Sequence, residues 1–182
     1  MADIAVETDR LILREWGPGD LDALHAICSD SDVMATIGPL LSREQASAMI
    51  VDLTARSIAD GHTFWALDRK ADRRMIGFTG LKRADIDPIK DRLEIGWRLA
   101  HDCWGRGYAT EAAAAALGWA REHRPGEDIY AITAEINDRS RAVMRRLGMM
   151  HRPEADFDHP KVPEDSALRP HVTYFKQMDT HG

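Results

Sequence analysis

A glycine-bearing turn is the stretch of this chain best suited to holding an anion. Gly105 and Gly107 lie within residues 104–109, between an alternating stretch at residues 93–99 and an alanine-rich run at residues 110–123. The alternation predicts a strand, and the alanines predict a helix. A helix that begins directly after such a turn points unpaired backbone N–H groups and its positive dipole end at a ligand. The turn is therefore a candidate site for a pyrophosphate.

Other phosphate-binding patterns do not fit this turn. The chain contains no G-x-x-x-x-G-K-[ST] motif, and Gly105-Arg106-Gly107 lacks a third glycine at the spacing of dinucleotide-binding loops. Two glycines before a helix also occur as simple punctuation between elements. The residue types of the turn alone leave both interpretations open.

Four further side chains are candidates for chemistry. Glu94 lies on the polar side of the predicted strand, where a carboxylate can act as a general base or form a cross-strand ion pair with a residue such as Lys82. Asn137 and Ser140 stand three apart at the start of a predicted helix, and capping is their simplest role. Tyr174, on the last predicted strand, is an alternative acid or acceptor-pocket residue, although core packing is favoured.

The sequence pattern does not favour metal-ion or covalent-nucleophile chemistry. His151, His159 and His171 are spread over a proline-rich stretch without the spacing of metal ligands. No nucleophile-elbow motif occurs in the chain. Cys28 and Cys103 are too few for a disulfide framework, so both are expected to be reduced thiols. We therefore predict no metal site.

The remaining elements follow from alternation, helical spacing and capping signals. Strands are expected at residues 8–14, 63–67, 75–81, 93–99, 129–136, 149–152 and 171–178. Helices are expected at residues 21–29 with Asp20 as the cap, at 42–59 behind a capping box at Ser42, at 110–123 and at 137–147. Residues 157–170 are expected to form a loop. Strands interspersed with few helices favour a mixed sheet of α+β or α/β type.

Composition limits the classes of function. The chain has 182 residues, 44% of them hydrophobic and 30% charged, which predicts one domain over residues 1–182 with a core at about 8–178. A net charge of −6 disfavours a general nucleic-acid binder and faintly favours a cationic acceptor such as an amine. The N-terminus does not resemble a signal peptide, and no apolar run approaches about 18 residues. A cytoplasmic protein without a membrane partner is expected.

In its context, the glycine turn resembles the acetyl-CoA pyrophosphate loop of the GNAT superfamily of N-acetyltransferases. The residues that carry this resemblance are Trp-Gly-Arg-Gly-Tyr-Ala-Thr-Glu-Ala at 104–112 after Glu-Ile-Gly-Trp at 94–97, and Asn-Asp-Arg-Ser at 137–140 before Leu-Gly-Met at 147–149. Met149 stands where the family usually has an aromatic residue. The resemblance covers about residues 8–178 and is nearest to the ribosomal-protein alanine/serine N-terminal acetyltransferase branch.

The resemblance implies a fold and a set of site residues. The fold would be the GNAT acyl-CoA N-acyltransferase fold, a central, mostly antiparallel sheet flanked by helices and splayed beside the strands at residues 93–99 and 129–136. Glu94 would be the general base, directly or through a water, and Ser140 would hydrogen-bond to the departing thiolate. The implied cofactor-binding residues are Trp97, Leu99, Trp104, Gly105, Arg106, Gly107, Tyr108, Ala109, Thr110, Asn137 and Ser140.

The function implied is acetyl transfer from acetyl-CoA to a primary amine, with no metal. A protein N-terminal α-amino group is the favoured acceptor, and a small-molecule amine is the alternative within this enzyme class. A non-catalytic acyl-CoA-binding module is the alternative outside it. Direct nucleic-acid binding is not expected, and the oligomeric state, a homodimer included, is left open.

Overall fold

A computed structural model of the protein describes residues 3–178, in which nine strands form one sheet and five α-helices accompany it. The helices are α1 (Asp20–Cys28), α2 (Ser31–Met34), α3 (Arg43–Asp60), α4 (Tyr108–His123) and α5 (Asp138–Arg146). The strands are β1 (Ile4–Glu7), β2 (Leu11–Arg14), β3 (Phe64–Arg69), β4 (Arg74–Arg83), β5 (Leu93–Leu99), β6 (Ile129–Ala134), β7 (Met150–His151), β8 (Phe157–Asp158) and β9 (Pro170–Lys176). The ends of the predicted domain, residues 1–2 and 179–182, lie outside the described residues.

The sheet is mixed and mostly antiparallel, as predicted. Its order is β1-β2-β3-β4-β5-β6-β9-β7, with β8 also paired to β9. β5 and β6 form the parallel pair, and their register extends only over Leu93↔Ile129 and Glu94↔Tyr130. Beyond those two residue pairs the strands separate, so the expected splay is present. The gap opens toward the carboxyl-terminal ends of β5 and β6.

The two faces of the sheet carry different helices. Trp65 of β3 packs edge-on against Trp119 of α4, with 5.2 Å between the ring centroids. On the opposite face the Phe64 and Phe78 rings stack at 5.9 Å, and α1 packs on β4. Successive strand residues point to opposite faces, so Trp97 shares the face of α4 and Arg98 shares the face of α1.

Several local signals are confirmed. Ser42 and Gln45 form both hydrogen bonds of a capping box at the start of α3, and Gly61 ends that helix in the left-handed conformation. The Asn137 side chain caps α5 by accepting from the Ser140 amide at 3.1 Å. β5 spans residues 93–99, as the alternation predicts.

The prediction of a single first strand at residues 8–14 is wrong. The structure has two antiparallel strands, β1 and β2, joined at residues 8–10. Thr8 closes this turn, because its amide donates to the Leu11 carbonyl at 2.9 Å while its hydroxyl accepts from the Leu11 amide at 3.0 Å. A threonine side chain that competes for local backbone groups in this way favours a turn over a strand.

The prediction that Asp20 caps α1 is wrong. Asp20 is the first residue of the helix. Gly19 holds the N-cap position without a side-chain hydrogen bond. The Asp20 carboxylate instead accepts from the Gly17 amide at 2.7 Å and from both terminal nitrogens of Arg14. The carboxylate that the sequence pattern assigns to helix capping therefore forms a partly buried ion pair instead.

Other element bounds also differ from the predictions. α4 begins two residues earlier than predicted, β6 ends at Ala134 rather than at residue 136, and β9 begins at Pro170. The short helix α2 follows an Asp30 cap, and β8 lies within the stretch predicted as a loop. Over residues 3–178, no helix has the length and apolar character needed to cross a membrane.

Candidate active site

A large cavity opens where β5 and β6 separate. Its volume is about 1030 Å³, at the upper end of the range typical of ligand sites. Its walls come from the end of β5, the glycine turn, the first turn of α4, α5 and the segment around α2. The lining residues are Val33, Thr36, Ile37, Trp97, Arg98, Leu99, His101, Cys103, Trp104, Gly105, Gly107, Tyr108, Ala109, Thr110, Glu111, Asn137, Arg139, Ser140, Ala142, Val143 and Arg146.

The glycine turn presents backbone amides to this cavity. Gly105 and Gly107 have φ values of +73° and +79°, and Gly107 is the N-cap of α4. The Glu111 amide donates to the Gly107 carbonyl at 3.0 Å, so the amides of residues 108–110 precede the first bond within the helix. First-turn amides of a helix lack intrahelical acceptors, and together with the dipole they attract anions. The geometry therefore suits a phosphate or pyrophosphate.

The turn between β1 and β2 braces this loop, which sequence reasoning missed. The Glu111 carboxylate accepts from the Thr8 hydroxyl and from Arg10 Nε, both at 2.6 Å. Arg10 also donates to the Arg106 carbonyl at 3.1 Å, and its guanidinium lies 4.6 Å from the Tyr108 ring centroid. Burial opposes ionisation of Glu111, but the hydrogen bonds from Thr8 and Arg10 hold its pKa below the usual value.

Trp104 and Tyr108, the two aromatic residues of the glycine turn, line the cavity, and each ring also lies against an arginine side chain. The Trp104 indole donates to the Leu99 carbonyl at 3.0 Å, and the Arg139 guanidinium lies 4.5 Å from its ring. Tyr108 begins α4 under the Arg10 side chain. Arg106 is exposed and is the one predicted cofactor-binding residue that does not line the cavity.

Asn137 and Ser140 bring the first turn of α5 into the same cavity. The Asn137 side chain is buried, and its carbonyl oxygen caps the helix at the Ser140 amide. The Ser140 hydroxyl is not needed for that cap, because the bond goes to its backbone. Asn137 thus caps α5 and also lines the cavity, and its contact with a cofactor stays a prediction.

The structure does not bring Glu94 into this cavity. The Glu94 side chain is 12% exposed, and its Oε2 lies 3.3 Å from Lys82 Nζ on the adjacent strand. Burial raises the pKa of Glu94, and the neighbouring Lys82 charge opposes that rise. The cross-strand ion pair considered from the sequence is present, and the role of Glu94 as a base stays a prediction.

Tyr174 is packed on β9 away from the cavity lining. Its side chain is buried, and its ring stacks on His151 with 5.1 Å between the centroids. This position agrees with the packing role favoured by the sequence.

The described part of the chain contains no disulfide and no cluster of side chains that could hold a metal ion. Cys28 and Cys103 are both free and buried. Between residues 3 and 178, no three His, Cys, Asp or Glu side chains are placed to hold a metal ion together.

A family model for the acetyltransferase (GNAT) domain matches residues 10–150 of this chain. The chain belongs to the GNAT family. It is accordingly an N-acetyltransferase, and the enzyme class predicted from the sequence is confirmed. The narrower assignment to the ribosomal-protein branch stays a prediction.

Individual relatives of this GNAT acetyltransferase are similar to it in sequence or in fold. The uncharacterized N-acetyltransferase YoaA of Bacillus subtilis (strain 168) is 27% identical over 145 residues, which cover 79% of this chain and 81% of YoaA. A GNAT-family acetyltransferase structure from Bacillus anthracis has a TM-score of 0.77 at 23% identity, covering 94% of this chain and 97% of that one. The RimL ribosomal L7/L12 α-N-protein acetyltransferase, solved with coenzyme A, has a TM-score of 0.78 at 17% identity, covering 98% and 100%.

Proposed function

We propose that this GNAT acetyltransferase binds acetyl-CoA in the cavity between β5 and β6 and acetylates an α-amino group, favouring a protein N-terminus. The observation that carries the proposal is the pairing of two features in one cavity. The amides of the glycine turn and the first turn of α4 lie on one wall, and Ser140 lies on another. An anionic group and a reactive group of one elongated donor can therefore be held at the same time.

The residues present fit acetyl-CoA as the donor. Gly105 and Gly107 adopt left-handed φ values that L side chains rarely take, so the backbone itself lies at the surface of the site. Arg139 and Arg146 line the same cavity and add positive charge to its wall, which suits a phosphate-rich donor. Acetyl-CoA supplies a thioester whose acetyl group passes to nitrogen without a covalent intermediate on the enzyme.

Three side chains, those of Asn137, Ser140 and Glu94, would carry out the remaining steps of the transfer. The Asn137 side chain holds the first turn of α5, and thereby the Ser140 hydroxyl, at the cavity wall. That hydroxyl would donate a hydrogen bond to the departing sulfur, which stabilises the thiolate without full proton transfer. Glu94, with its raised pKa, would accept the amine proton through a water, since its side chain does not line the cavity.

The choice of acceptor follows from the energy of deprotonation. An α-amino group has a pKa near ~8 and a lysine near ~10.4, so reaching the neutral form at pH 7 costs about 1.4 and about 4.6 kcal/mol respectively. Because Glu94 would act at a distance, it more easily deprotonates the amine with the smaller free energy of deprotonation, which is the α-amino group. The motif resemblance to the ribosomal-protein N-terminal acetyltransferase branch supports the same acceptor.

The test is turnover with acetyl-CoA and a panel of amines, followed by thiol release and by the mass of the products. We expect released CoA and acetylated amine in equal amounts. Release of CoA without an acetylated product would indicate hydrolysis. Binding of acetyl-CoA without release would identify a non-catalytic acyl-CoA-binding module instead.

A further inference from the structure

The Arg98 guanidinium lies in the cavity without an acidic partner. Its Nε atom is buried and has no hydrogen-bond partner within residues 3–178, and no carboxylate in that range forms a salt bridge with it. Nη1 donates to the Cys28 sulfur at 3.1 Å, and the guanidinium carbon lies 5.3 Å from the Phe78 ring centroid. A thiol is a weak acceptor, so these neighbours leave most of the donor capacity of Arg98 unused.

An arginine in such a place normally faces an anion. Buried charges in proteins are paired, because a charge removed from water without a partner is costly. The planar guanidinium offers paired N–H groups that match the two oxygens of a carboxylate. Since Arg98 lines the cavity, a ligand can supply those oxygens.

The position of Arg98 separates it from the phosphate-binding wall. Its side chain lies on the sheet face of Phe78 and α1, whereas α4 packs on the opposite face through Trp119. The sulfur that it contacts, that of Cys28, belongs to α1, and Val33 and Ile37 from the segment around α2 line the same cavity. A group bound by Arg98 therefore lies on the other side of the sheet from the first turn of α4.

The other charged residues of the cavity do not satisfy Arg98. Within residues 3–178, Glu111 is the only carboxylate that lines the cavity, and it already pairs with Arg10 at 2.5 Å. Arg139 lies on the Trp104 ring beside the glycine turn, where donor phosphates are expected. The side of the cavity that contains Arg98 therefore holds a positive charge of its own, although the chain as a whole has a net charge of −6.

We propose that Arg98 binds a carboxylate of the acceptor, so that the preferred substrate is an amine that also carries a carboxylate. This inference rests on the proposed function, since it concerns the acceptor of the same site. Two sources share this chemistry: a free amino acid, with its own α-carboxylate, and a peptide N-terminus with an acidic side chain close behind it.

The experiment compares acids with their matched amides. The first arm pairs free amino acids with the corresponding amino-acid amides, and the second pairs peptides carrying Asp or Glu at the second position with their Asn or Gln counterparts. The kcat/KM for each acceptor and its affinity for the CoA-bound enzyme are measured for wild type, Arg98→Met and Arg98→Lys. Arg145→Met, which removes an exposed charge from α5 outside the cavity lining, is the matched control.

In at least one of the two arms, the wild type should favour the acid over its amide by at least about tenfold, both in kcat/KM and in affinity. Arg98→Met should abolish that preference, Arg98→Lys should keep part of it, and Arg145→Met should leave it unchanged. The affinity for acetyl-CoA should stay within about twofold in all variants. Equal use of acids and amides by the wild type, or a preference that survives in Arg98→Met, would overturn the inference.

The affinity measurement separates this inference from the proposed function. Acids that bind through Arg98 but are never acetylated would support the inference and contradict the transferase proposal. Amines acetylated without regard to a carboxylate would support the transferase and contradict the role of Arg98. A wild type that binds neither acids nor amides would contradict the inference.

Discussion

Arg10 and Glu111, which are 101 residues apart in sequence, form a salt bridge with 2.5 Å between Nη2 and Oε2. The bridge ties the turn between β1 and β2 to the first turn of α4, where the donor phosphates are expected. Arg10 additionally holds the Arg106 carbonyl. The first strands of the fold therefore contribute to the shape of the anion site without lining it.

Removing this brace should weaken donor binding more than it weakens the fold. We expect Arg10→Met to raise the acetyl-CoA dissociation constant about fivefold, which corresponds to about 1 kcal/mol, because the loop loses a fixed position. The thermal midpoint should change little, since Arg10 is about half exposed. Arg43→Met, which breaks an exposed pair with Asp22 at 2.6 Å, is the control. Equal affinities in both variants would show that the brace does not shape the site.

The left-handed backbone at Gly107 gives a sharper test of the anion site. Gly107→Val places a β-branched side chain at φ +79°, and its Cβ would lie 3.5 Å from Arg10 Nη2. We expect the acetyl-CoA dissociation constant to rise at least about tenfold, or about 1.4 kcal/mol, in a protein that still folds. Gly118→Ala, in open space within α4, should leave affinity unchanged. Calorimetric titration of a folded Gly107→Val variant with wild-type affinity would remove the pyrophosphate from this loop.

The pH dependence of turnover tests Glu94. Glu94→Gln should lower kcat more at pH 7 than at pH 9, because high pH supplies neutral amine without a base. The raised pKa of Glu94 means that its carboxylate is lost as pH falls through that value, so activity should fall in the same range. Lys82→Met removes the charge that opposes the raised pKa, and it should shift this acidic limb to higher pH. Equal losses at both pH values, with an unmoved limb in Lys82→Met, would leave Glu94 a structural residue.

Ser140→Ala should separate chemistry from binding. We expect a lower kcat with the acetyl-CoA dissociation constant within about twofold of wild type, because the hydroxyl acts on the leaving sulfur rather than on the bound donor. Stability should be retained, since the helix cap uses the Ser140 amide and not its hydroxyl. Asn137→Ala provides the contrast, with loss of the cap costing about 1 kcal/mol of stability. Lost affinity in Ser140→Ala would make the serine a binding residue instead.

The predictable parts of this protein are those encoded by neighbours in sequence. The alternation at residues 93–99 predicts β5, Ser42 and Gln45 predict the start of α3, and the glycine turn before the alanines predicts the helix α4 that follows it. Each of these signals depends on residues within a few positions of one another, where propensity and local hydrogen bonds act.

The less predictable parts depend on contacts between distant segments. Arg10 reaches Glu111, and Arg98 reaches Cys28, 70 residues away. Asp20 has a type suited to helix capping, but Arg14 binds its carboxylate instead. Residue type at a position does not encode such partners, because the fold brings them together.

The central claim, acetyl transfer to an α-amino group, is tested most directly with two matched peptides. One carries a free N-terminus and a blocked lysine, and the other carries a blocked N-terminus and a free lysine. At pH 7 with saturating acetyl-CoA, the peptide with the free N-terminus should be acetylated faster, as followed by mass spectrometry. Faster acetylation of the lysine peptide would contradict the account.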